Sequence, residues 1–220
     1  MALVANVSAI GAIPDLATLK TVLADELNRD DLTAKFARFI VLAEAHFNRH
    51  LRSPEMEHSI TLTVSGADTP LPSDFLSMRS IYVNGNPRSP LKSMAPAAIV
   101  REFSGQAGAP LAFALVSGNL RVAPPPATPV LMSMDYYSRI VPLSDAAPAN
   151  WLLTQHPDLY LYRTLFHAEA NLGNEAAANG YKGFSDEILA EINRVSNSNR
   201  FGGGPIVPNA VGQIRGRATC

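Results

Sequence analysis

The sequence contains one cysteine and no long apolar run. Because its single cysteine is Cys220, an intrachain disulfide and a zinc site with several cysteine ligands are both excluded. No apolar stretch reaches the roughly 18–20 residues that a membrane helix needs. The apolar-leaning residues 1–13 are not preceded by Lys or Arg, so they make a poor secretory signal. We therefore expect a protein that is made in the cytoplasm and has no membrane partner.

Charge is also scarce. Charged residues make up 17% of the 220 residues, against about 25% in typical soluble domains. The formal net charge of −1 argues against a protein that coats nucleic acid. Three of the 18 basic residues and none of the 19 acidic residues lie in residues 198–220, which leaves the rest of the chain with a charge of −4. The low charge predicts a surface that is partly covered by partners.

The first third of the chain has helical periodicity. It predicts one helix over residues 16–28 and a second over residues 32–51. The apolar positions of the second helix fall on one face, at Leu32, Phe36, Phe39, Ile40, Ala43, Phe47 and Leu51.

The middle of the chain changes to strand periodicity. Alternating residues predict strands over residues 59–64, 78–83 and 130–137, and turn residues predict a hairpin over residues 111–122. A short helix is expected within residues 94–103.

The helical pattern returns at residue 150 and breaks at residues 171–174. A last helix is expected over residues 175–197. Its predicted core face consists of Tyr181, Phe184, Ile188, Leu189, Ile192 and Val195.

These patterns predict an α+β protein. Residues 14–57 and 148–197 would form one helical bundle, because neither half is long enough to close a core alone. Residues 58–147 would form an inserted, antiparallel β-rich domain. Residues 198–220 are Gly/Pro-rich and basic and show no helical stripe, so we expect an extended C-terminal arm that becomes ordered only on a partner.

No catalytic, cofactor-binding or metal-binding constellation is predicted. His46 and His50 lie four residues apart and could face one metal, but the third ligand would have to be His58 or a distant carboxylate. We interpret them as surface or interface histidines. No Gly-x-Ser-x-Gly nucleophile pattern occurs.

Two acidic residues that neighbour apolar residues are expected to have structural rather than catalytic roles. Glu44 is expected to pair with an arginine such as Arg38 or Arg52, and Asp135 is expected to point outward from its strand into water.

Several motifs occur in an order that resembles a known family. They are residues 42–52, 56–57, 60–64, 71–81, 118–124, 136–137, 143–144, 150–153 and 157–162. Over residues 15–195 the chain resembles the head-to-tail adaptor proteins of tailed bacteriophages, especially the adaptor or tail-tubular proteins of short-tailed phages.

The resemblance implies a structural virion protein rather than an enzyme. Such adaptors form a ring of about twelve copies beneath the portal protein, extend the DNA channel, and attach the tail nozzle. Genomic DNA would pass through the channel without sequence-specific binding. The implied location is the head–tail interface of the virion, after synthesis in the host cytoplasm, and no cofactor is implied.

The resemblance also implies roles for particular residues. The C-terminal arm would contact the portal through Arg200, Phe201, Ile206, Val207, Ile214, Arg215 and Arg217. Arg49, Arg52 and Glu57 would form ion pairs between subunits, with exposed or intrachain pairs as the alternative.

Three other functions remain open at this point. The chain could be another neck or tail ring component such as a tail terminator. It could be a tail-associated cell-wall hydrolase, although no paired-carboxylate signature supports that reading. A host regulatory binding module is the third alternative.

Overall fold

The structure is a computed structural model that describes residues 13–29 and 31–201. These residues form six α-helices and eight β-strands. The helices are α1 (Leu16–Leu27), α2 (Thr33–His50), α3 (Pro96–Phe103), α4 (Trp151–Gln155), α5 (Pro157–Leu172) and α6 (Glu175–Phe201). The strands are β1 (Glu57–Val64), β2 (Asp68–Pro70), β3 (Phe75–Val83), β4 (Ser89–Pro90), β5 (Lys92–Ser93), β6 (Ala112–Val116), β7 (Asn119–Ala123) and β8 (Val130–Ser138).

Local side-chain and backbone chemistry sets the ends of the helices. The Asp15 carboxylate accepts a hydrogen bond from the Thr18 N–H at 2.8 Å and so caps α1. Asn28 ends α1 in the left-handed conformation, with φ at 48°. Gly173 ends α5 in the same way, with φ at 79°, which accounts for the predicted break between the last two helices.

Helices from both ends of the chain contribute to one hydrophobic cluster. The apolar face predicted for α2 is fully buried in it, from Leu32 to Leu51. Helix α5 contacts α1, α2, α4 and α6, and side chains on several of its sides are buried. The predicted α+β class is therefore confirmed.

The strands form two four-stranded sheets. One sheet has the order β1-β8-β3-β4 and is antiparallel throughout. The other has the order β2-β7-β6-β5. Its β5–β6 pair is parallel, with Lys92 opposite Ala112, which differs from the antiparallel domain expected from the sequence. The reason is that α3 lies between β5 and β6 and provides the crossover that a parallel pair needs.

The last helix buries most of the predicted face, since Ile192 belongs to the helical cluster and Tyr181, Ile188 and Leu189 pack against it. Phe184 is 54% exposed and Val195 is 45% exposed, so both are wrongly placed in the predicted core. Ser185 and Ser196 are buried instead, at 1% and 5% exposure. The apolar stripe of α6 is thus wider than the surface that its neighbours cover.

The helical and β-rich parts of the chain meet along β8. Tyr137, near the end of β8, belongs to the helical cluster, whereas Tyr136 belongs to the cluster between the sheets. The boundaries predicted for the inserted domain stay a prediction. Among the described residues, no helix is both long enough and apolar enough to cross a membrane.

Candidate interaction surfaces

An open groove of about 650 Å³ lies between α2 and the segment that follows β8. Its charged lining includes three arginines, and its apolar lining includes two residues of the segment after β8. We call this surface the arginine groove and define it by Arg49, Arg52, Arg139, Val41, Ile140 and Pro142. The groove contains two of the three residues for which ion pairs between subunits were predicted.

The Arg52 side chain is held in place at the end of α2. Its Nη1 donates a hydrogen bond to the Asn48 carbonyl at 3.0 Å and another to the Leu51 carbonyl. Its guanidinium carbon lies 5.8 Å from the centre of the Tyr137 ring, within the range of a cation–π contact. The positive charge therefore stays at the edge of the groove.

Glu57, the third predicted residue, is partnered within the chain. Its carboxylate forms an ion pair with Arg79 and accepts a hydrogen bond from the Tyr137 hydroxyl at 3.1 Å. Through Tyr137, the structure thus brings Glu57 and Arg52 into one contact network. A role for Glu57 between subunits stays a prediction.

The floor of the groove contains a buried carboxylate, Glu44, which is 5% exposed. It accepts hydrogen bonds from the Leu143 N–H at 2.7 Å and from the Tyr160 hydroxyl at 3.2 Å. The predicted pairing with Arg38 or Arg52 is wrong, because Glu44 faces the protein interior. Burial raises the pKa of Glu44, and these two hydrogen bonds oppose that rise.

A polar cluster joins α2, α5 and α6 next to the groove. Arg163, 6% exposed, lies 2.9 Å from His46 Nδ1 and donates a hydrogen bond to Asp186 at 3.2 Å. Burial, together with the positive charge of Arg163, lowers the pKa of His46 to about 4. Burial lowers the pKa of His167 to about 4 as well.

His46 and His50, the pair considered in the sequence as metal ligands, lie side by side on α2. The rings of His46 and His50 lie 4.5 Å apart between centroids. Among the described residues, no group of three or more His, Cys, Asp or Glu side chains is arranged to hold a metal ion. His46 is instead part of the contact between helices.

Asp135 is bound by hydroxyl groups of neighbouring strands. It accepts hydrogen bonds from Ser59 at 2.5 Å and from Ser80 at 2.6 Å. The hydrogen bond from Ser59 and then that from Ser80 lower the pKa of Asp135. Asp135 lies on the partly exposed face of β8, opposite the buried Met134 and Tyr136, as expected from the sequence, and its contacts are those of a carboxylate that links three strands.

The exposed side of α6 forms a second surface. Phe184, Glu187, Glu191 and Val195 follow one another at intervals of three or four residues and are all exposed, so they share one face of the helix. We call these four residues the acidic ridge.

A cavity of about 300 Å³ adjoins the acidic ridge. Its lining contains Glu55 and Asp158 together with Glu191 and Val195 of the ridge. The negative charge therefore extends beyond α6 itself.

The predicted arm, residues 198–220, starts within the last turn of α6. The helix continues through Phe201, four residues beyond its predicted end. The backbone of Arg200 and Phe201 is therefore helical. The other predicted portal contacts lie outside the described residues, at Ile206, Val207, Ile214, Arg215 and Arg217.

Sequence reasoning missed how these surfaces are assembled. Arg139 and Ile140 lie about 90 residues from Arg49 in the chain, and no local pattern joins them. The sequence did contain a signal for the acidic ridge, since Glu187 and Glu191 lie between Phe184 and Val195 at helical spacing.

Comparison with known proteins gives one family match. Residues 14–209 match the family model described as SU10 adaptor protein. This range includes α1 to α6, both sheets, the arginine groove and the acidic ridge. No curated protein matches the chain.

Proposed function

This chain belongs to the SU10 adaptor protein family of phage head-to-tail adaptors, and from that premise we propose that it docks beneath the portal as a ring. In this role it extends the DNA channel of the virion and attaches the tail nozzle below. The family match over residues 14–209 is the observation that carries the proposal. An adaptor of this kind is a structural protein that contacts portal and tail proteins.

Two features of the molecule support docking in a ring. Exposed apolar side chains occur on several elements, among them Val41, Leu42, Phe184 and Val195. A ring subunit covers such side chains against its neighbours on two different flanks. The low proportion of charged residues, 17%, fits a surface of which much is covered in the assembly.

The C-terminal residues have the composition of an arm that holds the portal. Arg200, Arg215 and Arg217 give residues 198–220 a charge of +3, while the rest of the chain carries −4. An arm on each subunit raises the effective concentration of the ring at the portal without a large rigid interface. The negative body is compatible with a channel along which DNA slides, because a wall that binds phosphates weakly does not hold the genome.

Binding to the portal of the same phage tests this function. Purified full-length chain mixed with that portal should give a ring-shaped density below the portal in electron micrographs. Removing residues 202–220 should weaken binding, because the arm contacts are lost while α6 stays intact. Replacing Arg215 and Arg217 by lysine retains their charge and is the matched control.

Two outcomes would contradict this proposal. Binding that is unchanged by the deletion would remove the arm from the mechanism. If the chain binds the tail nozzle but not the portal, it is a different component of the neck or tail, such as a tail terminator.

A further inference from the structure

We propose that the acidic ridge of one copy of this chain docks into the arginine groove of the next copy around the ring. The inference rests on the proposed ring and identifies the two surfaces that join its neighbours. It follows from the charges, shapes and positions of the two surfaces.

The two surfaces are complementary in charge. The arginine groove carries Arg49, Arg52 and Arg139, against the single buried carboxylate of Glu44 in its floor. The acidic ridge carries Glu187 and Glu191, and Glu55 and Asp158 in the adjoining cavity add to its negative charge, which the exposed Arg194 beside Glu191 reduces but does not cancel. Opposite potentials of this kind favour one relative orientation of two partners and exclude like-charged surfaces.

The two surfaces are also complementary in shape and apolar content. The groove is concave, whereas the ridge is the convex side of a helix. Val41 at the groove is 58% exposed, and Phe184 on the ridge is 54% exposed. Docking would remove both from water, at roughly 25 cal/mol for each Å² of apolar surface that becomes buried.

Within one subunit the end of α2 and the acidic ridge lie on different faces of α6. The Asn193 side chain accepts a hydrogen bond from the Arg52 N–H and donates one to the His50 carbonyl. The end of α2, with the groove, therefore lies on the Asn193 side of α6. Glu191 and Val195, two residues away on either side, project about 160° from Asn193.

A groove on one copy that receives the ridge of the next copy is a heterologous contact. Such contacts generate a closed ring when the rotation between neighbours fits and an open filament when it does not. Charge also disfavours the chain's own C-terminal arm as the occupant of the groove. The arm is basic, with Arg200, Arg215 and Arg217 and no acidic residue, and would be repelled by the arginines.

Reversal of charge on each surface tests the inference. One variant carries Arg49→Glu and Arg139→Glu, and a second carries Glu187→Arg and Glu191→Arg. These four side chains are exposed, so each variant should keep the thermal unfolding profile of the wild type. Arg52 is left unchanged because its contacts with α2 and Tyr137 are structural.

The readout is the binding of the full-length chain to the portal of the same phage, measured as copies bound against concentration. Contacts between neighbours make this binding cooperative. Each single-surface variant should lose the cooperativity and bind about tenfold more weakly, equivalent to about 1.4 kcal/mol. The chain that carries all four changes should recover binding to within about threefold of the wild type, since its groove and ridge are again complementary.

Two variants serve as controls: one that keeps the charge of the groove, and one that reverses a charge outside both surfaces. Arg49→Lys with Arg139→Lys keeps the charge and should bind like the wild type. Arg101→Glu reverses an exposed charge on α3, outside both surfaces, and should also leave the cooperativity unchanged.

The outcomes separate this inference from the proposed function. If the wild type binds the portal cooperatively and both reversals bind equally well, the ridge–groove contact is overturned while portal docking stands. Failure of the four-change chain to recover binding would also overturn the contact. If the wild type does not bind the portal at all, the proposed function fails and the inference fails with it.

Discussion

At the scale of single residues, Glu44 shows how a buried carboxylate connects distant parts of this chain. It joins α2 to Leu143 in the segment after β8 and to Tyr160 of α5. The Tyr160 hydroxyl in turn accepts a hydrogen bond from the Asn150 side chain at 2.8 Å. This network fixes the segment that forms one wall of the arginine groove.

We predict that Glu44→Ala lowers the free energy of unfolding by about 2–4 kcal/mol, because it leaves two buried donors without an acceptor. Tyr160→Phe should cost about 1–3 kcal/mol, since it removes one donor to Glu44. Glu102→Ala is the control, because its carboxylate is on the surface of α3 next to Arg101. Urea unfolding of the purified variants measures the differences, and equal losses for Glu44→Ala and Glu102→Ala would refute the role of the network.

The lowered pKa values of His46 and His167 make stability depend on pH. In the unfolded chain a histidine has a pKa near 6.5, whereas both folded values are about 4. Between these values the unfolded state binds more protons than the folded state, so acidification favours unfolding. Glu44, whose pKa is raised by burial, contributes with the opposite sign at pH values just above its ordinary pKa.

We predict that His167→Gln reduces the loss of stability on acidification. The wild type should lose on the order of 1–3 kcal/mol more than the variant between pH 7.5 and pH 4.5, because the variant has no imidazole to protonate at that site. Urea unfolding at both pH values measures the loss, and the contribution of Glu44 cancels in the comparison. His58→Gln, at an exposed position of β1, is the control and should follow the wild type. A pH dependence of His167→Gln equal to that of the wild type would contradict the prediction.

At the scale of elements, the local sequence predicted the buried face correctly wherever a helix or strand is covered on one face only. In α2 the predicted apolar face is the buried face, because the helix packs along one side only. The five longer strands, β1, β3, β6, β7 and β8, were likewise predicted close to their observed bounds, whereas the short strands β2, β4 and β5 were not predicted. In α6 the same reasoning failed at Phe184 and Val195, since the apolar stripe exceeds what one subunit covers.

We predict that two apolar residues of α6 differ sharply in their effect on folding. Ile192→Ala should lower the free energy of unfolding by about 2–4 kcal/mol, because Ile192 is 8% exposed and belongs to the helical cluster. Phe184→Ala should cost about 1 kcal/mol or less, since Phe184 is 54% exposed and its ring contact is with Tyr162. Thermal and urea unfolding of the isolated chain compares them. A loss for Phe184→Ala as large as that for Ile192→Ala would show that Phe184 contributes to the core of the subunit.

At the scale of the whole molecule, the contacts that define the surfaces join residues far apart in the chain. Ile140 N–H donates to the Asn48 side chain at 3.0 Å, across 92 positions. Arg52 N–H binds Asn193 across 141 positions. Periodicity and turn chemistry act over a few residues, so they predict helices and strands but not such contacts. The α+β class was therefore accessible from the sequence, whereas the arginine groove was not.

The division of charge over the molecule gives a last prediction, for the salt dependence of ring assembly. Contacts between the acidic ridge and the arginine groove are ion pairs at an edge that water reaches, and salt screens such pairs over about 10 Å at 0.1 M and about 3 Å at 1 M. The measurement uses a chain that lacks residues 202–220, so that the basic arm does not contribute to the salt dependence. Its cooperative binding to the portal should weaken several-fold between low and high salt.

Neutralising the ion pairs provides the comparison for this prediction. A chain of the same length with Arg49, Arg139, Glu187 and Glu191 all changed to glutamine should bind more weakly at low salt and show a flatter salt dependence, because its remaining contacts between neighbours are mainly apolar. Sedimentation of portal complexes at a series of salt concentrations measures both slopes. Parallel slopes for the two chains would mean that the salt-sensitive contact lies elsewhere on the subunit, and the ridge–groove contact would have to be abandoned.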